Sequence, residues 1–146
     1  PLFNKRPSIL SMSETTFEEG AAFNSFAKNY KSLGIYKSLS VSNNYSILGS
    51  NLDFLIESKI IPIPDYIKID VDGIEHLILE GGDKFLNNKK VKSLSIEINE
   101  NFKEQYDKVL NLMNKYEFKL LHKKHNDDMF SEQSKFKKTF NYIFVK

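Results

Sequence analysis

Residues 66–82 read YIKIDVDGIEHLILEGG. Ile67, Ile69 and Val71 alternate with Tyr66, Lys68 and Asp70, the two-residue period of a strand with one buried face. Gly73 ends the run, and 74–79 continues as a short helix that Gly81 and Gly82 interrupt. Asp83 then caps one more turn, through Leu86. The strand thus delivers Asp70 and Asp72 at its carboxyl end, with Glu75 in the first helical turn beyond. In an open α/β sheet that end is where ligands bind, so this stretch sets both the fold and the place to look for chemistry.

Working outward, Ser50 or Asn51 caps a helix with Asp53 in its first turn and Leu52, Leu55 and Ile56 as its apolar stripe. Pro62 and Pro64 then force extended backbone up to Tyr66. Residues 92–98 form the next strand, with Leu94, Ile96 and Ile98 alternating against Ser93, Ser95 and Glu97. Residues 102–116 give the clearest helix, since Tyr106, Val109, Leu110, Met113 and Tyr116 share one face. Residues 118–123 are a strand, 126–138 a charged loop, and 139–146 a final strand. That strand carries apolar residues on both faces, as an interior strand does. Strands alternating with helices imply a parallel sheet with helical layers. No helix joins the last two strands, which therefore pair antiparallel. The fold class is α/β with a mixed sheet, in a single domain over 1–146. Residues 1–49 are expected to be irregular with a short strand or two, one of them at 37–41.

A chain of 146 residues can bury one core. Its formal net charge of +2 does not point to nucleic acid, and the lysine clusters at 89–92, 119–124 and 135–138 read as a solvated face. No stretch approaches the roughly 18–20 apolar residues of a membrane helix. Residues 2–10 do not read as a signal peptide, being broken by Asn4, Lys5, Arg6 and Pro7. With no cysteine, disulfides, thiolate metal sites and cysteine nucleophiles are excluded. A reducing compartment is permitted. The expectation is a soluble cytoplasmic protein that binds neither nucleic acid nor membrane.

Glu97 and Asn99 occupy the matching end of the strand after 66–71. If the two strands are neighbours, these groups converge with Asp70, Asp72 and Glu75 on one crevice, and Gly73 lets backbone approach closely. Carboxylates packed together need something positive among them. The candidates are a divalent cation held by Asp70 and Asp72, a cationic substrate group, or Lys68 on the same strand. Blander readings stand beside these. Asp72 and Glu75 would also serve a helix start by capping and by matching its dipole. Glu97 would also be solvated, as would Asp127 and Asp128. His76, His122 and His125 lack ligand-like spacing and read as surface or boundary residues. Asp-x-Asp alone occurs in metal-dependent glycosyltransferases. A strand followed by DxDG also suggests a haloacid-dehalogenase phosphatase, with the first Asp as nucleophile and the second as acid/base. Those chains carry the motif near the start with Thr or Val after the Gly; here it is central and Ile74 follows.

PDYIKIDVDGIEHLILEGGDKFL resembles the signature of the FkbM-type methyltransferases. The family pattern is a strand reading hIKIDVEGxE (h apolar), a helix ending in Leu-x-Gly, and a next strand ending in hEI. Here these are residues 66–75, 79–81 and 94–98. Asn51-Leu52-Asp53-Phe54-Leu55 is similar to the family's Thr-Leu-Asp-x-Leu helix start, and FNYIFVK to its last strand. The resemblance runs from about Ser50 to the end and more loosely back to Gly20. Asp72 replaces the commoner Glu and keeps the charge.

The resemblance implies S-adenosylmethionine-dependent O-methyl transfer to a sugar or natural-product hydroxyl. It implies Asp70 as the leading catalytic residue, with Asp72 and Glu75 as orienting or metal-binding partners. Lys68, Gly73, Glu97 and Asn99 would line the acceptor side. It also implies a Rossmann-like class I sheet of order 3-2-1-4-5-7-6, of which strands 66–71, 92–98, 118–123 and 139–146 would be the fourth to seventh. No Asp-x-Gly-x-x-x-Gly follows a strand in residues 1–65. The chain, which opens at Pro1, is therefore expected to be the C-terminal half to two-thirds of such an enzyme, without its cofactor cradle and inactive alone. Strand 66–71 would then be a bare edge, covered by residues 1–49 or paired in a homodimer. The alternatives are a phosphatase or glycosyltransferase using Asp70 and Asp72 around a metal, and a non-catalytic interaction module that keeps the half-fold.

Overall fold

The computed structural model describes residues 2, 6–14, 25–26, 43–71, 73–125 and 138–146. In chain order the elements are β1 (Ser8–Glu14), β2 (Ser25–Phe26), β3 (Asn43–Gly49), α1 (Leu52–Glu57), β4 (Tyr66–Ile69) and α2 (Glu75–Glu80). These are followed by α3 (Asp83–Asn87), β5 (Ser93–Asn99), α4 (Lys103–Lys115), β6 (Lys119–Lys124) and β7 (Thr139–Val145).

Four strands make a mixed sheet of order β4-β5-β7-β6. β4 and β5 are parallel, joined through α2 and α3, and β7 lies antiparallel between β5 and β6. This is the order expected for the last four strands, including the interior place of β7. That place follows from its two faces: Phe140, Tyr142 and Phe144 turn toward the helices, while Asn141 and Ile143 are half-buried on the other side. The core lies between one face of this sheet and the helices. Leu94, Ile96 and Ile98 of β5 meet Ile78 and Leu79 of α2, Phe85 and Leu86 of α3, and Val109 and Met113 of α4. Leu94, Ile96 and Ile98 are fully buried, each contributing about 1.5–3 kcal/mol of burial.

α2 is buried from Glu75 through Leu79, as a helix enclosed on several sides must be. Ile78 and Leu79 enter the main core. Leu77 packs against Leu10, Met12 and Ile47 of a second, three-stranded antiparallel sheet of order β2-β1-β3. Residues 1–49 are thus more regular than the sequence indicated: β1 and β3 pair over their full length, from Ser8↔Gly49 to Glu14↔Asn43. The pattern was masked because an apolar pair, Ile9 and Leu48, also lies on the outer face, 74% and 64% exposed. The strand expected at 37–41 and most of the 126–138 loop lie outside the described residues.

The described strands of this region pack on α2, and none pairs with the edge expected to need cover. Among the described residues β5 is the one hydrogen-bonded neighbour of β4. Two boundaries shift. β4 ends at Ile69, leaving Val71 in the turn and 39% exposed. α3 begins after Gly82, so Asp83 is its first residue and not its cap. The capping comes from further away: Asp53 on α1 accepts hydrogen bonds from the backbone N–H groups of Lys84 and Phe85, both at 2.9 Å. Leu52 also approaches Gly82 closely, and a Cβ there would lie 3.3 Å from Leu52 Cδ1. Asn51 caps α1, its Oδ1 accepting from Phe54 N at 2.8 Å.

Asp53→Ala should remove both acceptors from the α3 start and cost about 0.5–2 kcal/mol. Asp53→Asn, which keeps one oxygen acceptor, should cost less. Thermal unfolding of the two variants beside wild type checks this, and equal melting temperatures would remove the long-range cap from the account.

Candidate functional site

The turn between β4 and α2 carries the acidic motif. Gly73 has φ of +107°, a conformation that side chains with a Cβ disfavour. A Cβ placed there would meet nothing within 4 Å, so the space beside the turn is open. The conformation and not the space restricts this position to glycine.

The expected single crevice resolves into two groups. On the sheet face away from the helices, Lys68 Nζ lies 2.7 Å from Asp70 Oδ2, both side chains partly exposed. The hydrogen bond and charge of Asp70 push the Lys68 ammonium above its usual range, with Glu97 adding to this and burial opposing it. Strand alternation explains the grouping: Lys68 is opposite Ser95 in register, and Glu97 follows two residues on along β5. Of the positive partners expected for the acidic strand end, the structure supplies Lys68.

Glu75 belongs to the second group. It is 1% exposed, and its Oε1 accepts hydrogen bonds from Val71 N at 3.1 Å and Gly73 N at 3.2 Å. Its Oε2 accepts one from Gln105 Nε2 on α4. Gln105, 2% exposed, uses its other end to accept from Asn99 N at 3.1 Å. Asn99 Oδ1 in turn accepts from Asn101 N at 3.0 Å. Glu75 and Asn99 therefore converge on Gln105 in the interior, while Asp70 and Glu97 converge on Lys68 at the surface. Burial pushes the Glu75 carboxyl above its ordinary value, and the N–H donors around it pull the other way. Asp72 lies outside the described residues.

Sequence reasoning missed Gln105. Its signal was a polar residue on the buried stripe of α4, in line with Val109 and Met113 at four-residue steps. His76 was expected at a surface or boundary. It is 5% exposed on α2 and held below the usual imidazole range, chiefly by burial and further by Lys108. Among the described residues no group of three or more His, Asp or Glu side chains could hold a metal ion.

A mixed sheet with helices packed on one face, and an acidic turn at the carboxyl end of a parallel strand, define an α/β domain. The sequence identifies which kind. Residues 19–120 of the 146 match the methyltransferase FkbM domain, and the chain belongs to that family. No curated protein and no solved structure gives a match.

Removing either partner of the buried pair leaves N–H or carboxylate groups unsatisfied, which costs about 1–3 kcal/mol. Glu75→Gln and Gln105→Leu should each lose about that much in urea unfolding, and the double variant less than their sum. Strict additivity would show that the two side chains do not act together. A pH signature follows as well. The folded state holds the Glu75 proton more tightly than the unfolded chain does. Its contribution is therefore fully favourable below the ordinary carboxylate range and is lost as pH rises through the folded value. The stability gap between wild type and Glu75→Gln should widen as pH falls from neutrality toward that range.

Proposed function

We propose that this chain forms the acceptor-side wall of an S-adenosylmethionine-dependent O-methyltransferase, acting on a sugar or natural-product hydroxyl in its full-length form. The observation that carries the reading is Asp70: a partly exposed carboxylate at the carboxyl end of β4, within the stretch that matches the family. Its Oδ2 is held by Lys68, and Oδ1 makes no hydrogen bond with the described residues. An acceptor hydroxyl placed against Oδ1 can give up its proton there as the oxygen attacks the methyl carbon. Carbohydrate hydroxyls are weak acids, so a positioned base is worth having. Lys68 fixes the direction of the carboxylate, and Glu75 fixes the turn that follows it.

S-adenosylmethionine supplies the electrophilic methyl group on a sulfonium. The open space at Gly73 and the carboxylate at Asp70 suit one side of such a group. They do not enclose it, and residues 1–65 hold no glycine-rich loop of the expected kind. On this reading the rest of a Rossmann-like class I sheet completes the cradle in the full-length enzyme, and this chain alone binds the cofactor weakly or not at all. A metal-dependent phosphatase or glycosyltransferase has less support, because the one described Asp of the pair is engaged by Lys68. We further propose that a second copy pairs along the outer edge of β4, where Tyr66 is 73% exposed, and that the protein works in the cytoplasm.

In the full-length enzyme, Asp70→Asn should lower kcat for methyl transfer by about 10²–10⁴-fold with KM little changed. An unchanged kcat would remove Asp70 as the base. Calorimetry of this chain with S-adenosylmethionine should show no tight binding. A dissociation constant in the micromolar range or below, on the order of −8 kcal/mol, would contradict the divided cradle.

A further inference from the structure

The sheet face away from the helices carries a second feature that the acidic turn does not use. The strand register aligns Lys68, Ser95, Ile143 and His122 in one row across all four strands, with Glu97, Asn141 and Lys124 in the next. Long basic side chains stand on the two outer strands, at Lys68 on β4 and at His122 and Lys124 on β6. The two inner strands contribute the shorter Ser95, Asn141 and Ile143. The result is a trough of about 440 Å³, lined also by His125, whose ring packs on Phe140 at 4.9 Å between centroids.

The charge in the trough is uneven. On the β4 side, Lys68 is paired with Asp70 and lies near Glu97. On the β6 side, neither His122 nor Lys124 forms an ion pair with a described carboxylate. Between them stands Asn141, whose Oδ1 is buried without a hydrogen-bond partner among the described residues and whose side-chain amide can also donate. The Lys124 ammonium, the His122 imidazole, the Asn141 amide and the Ser95 hydroxyl thus line one trough with a floor of short side chains. A mobile solvated lysine needs no such floor, and an anion would supply the missing counter-charge.

We propose that this trough is a binding site for a small phosphate-class dianion, seated between His122, Lys124 and Asn141 with Ser95 beneath it. Resting on the acceptor reading above, the dianion is the phosphate of a phosphorylated acceptor such as a hexose phosphate, since Lys68 joins the trough to Asp70. The anion site itself does not depend on that reading.

The test is a titration of this protein with sodium phosphate at fixed ionic strength, followed by amide and imidazole resonances. Saturable shifts should appear on the trough residues of all four strands. A hexose phosphate should move the same resonances, free hexose should move none, and acetate should bind more weakly than phosphate. Lys124→Gln and His122→Gln, both at exposed positions, should each weaken phosphate binding about two- to fivefold, as the loss of one partly exposed charge or hydrogen-bond donor does. Lys89→Gln/Lys90→Gln, on the turn before β5, should leave it unchanged. Non-saturating shifts, shifts centred on residues 89–92, or equal affinity in the Lys124→Gln/His122→Gln double variant and wild type would overturn the proposal. Free phosphate shifting the trough while hexose phosphate does not would keep the anion site and remove the sugar phosphate as its occupant. An inactive Asp70→Asn enzyme leaves the titration untouched, and a failed titration leaves Asp70 untouched, so the two readings fail separately.

Discussion

The structure turns on a carboxylate with nowhere to go but inward. Glu75 follows a glycine in a left-handed conformation and opens a helix that other elements enclose. A charge at that depth is tolerated only where donors converge on it. The donors are the backbone of the turn before it and the amide of Gln105 across the helix interface. Through Gln105 the contact reaches Asn99 at the end of β5. One buried carboxylate therefore ties together the ends of the two parallel strands, α2 and α4. It fixes the turn from beneath while the other face of the sheet stays open.

This arrangement divides a motif that looks uniform in one dimension. Aspartates and a glutamate within six positions read as a single acidic cluster, and the physical demand for a counter-ion falls on all of them alike. In three dimensions the demand is met in two ways. Asp70 takes an ammonium from its own strand at the surface, and Glu75 takes N–H groups in the interior. Each of the two described carboxylates thus has its own protein partners. The surface half has the exposure that chemistry requires, and the buried half has the rigidity that positioning requires.

Much of the fold was legible from residue 50 onward because its signals are local. The alternation of Leu94, Ile96 and Ile98 marked β5, the four-residue stripe of Val109 and Met113 marked α4, and the two-sided apolar pattern of 139–146 placed β7 inside the sheet. Three things were hidden. The β1–β3 pairing joins residues from about thirty to about forty apart, and its apolar residues fall on both faces, so no window along the chain reveals it. The inward turn of Glu75 depends on Gln105, thirty residues away. The role of Asp53 as the α3 cap depends on residues about thirty further on; locally it looks like an ordinary acidic first turn. Family resemblance marks a stretch of chain, and it leaves open which of its carboxylates turn inward and which turn out.

The division of the motif is the central claim, and the ionisation of Glu75 measures it most directly. A titration of its side-chain carboxyl carbon by nuclear magnetic resonance should give a midpoint above the ordinary value of 4.5. The resonance of the Gln105 amide should move at the same midpoint. A midpoint at or below the ordinary value, with the Gln105 amide unmoved, would return Glu75 to the open crevice and contradict the account.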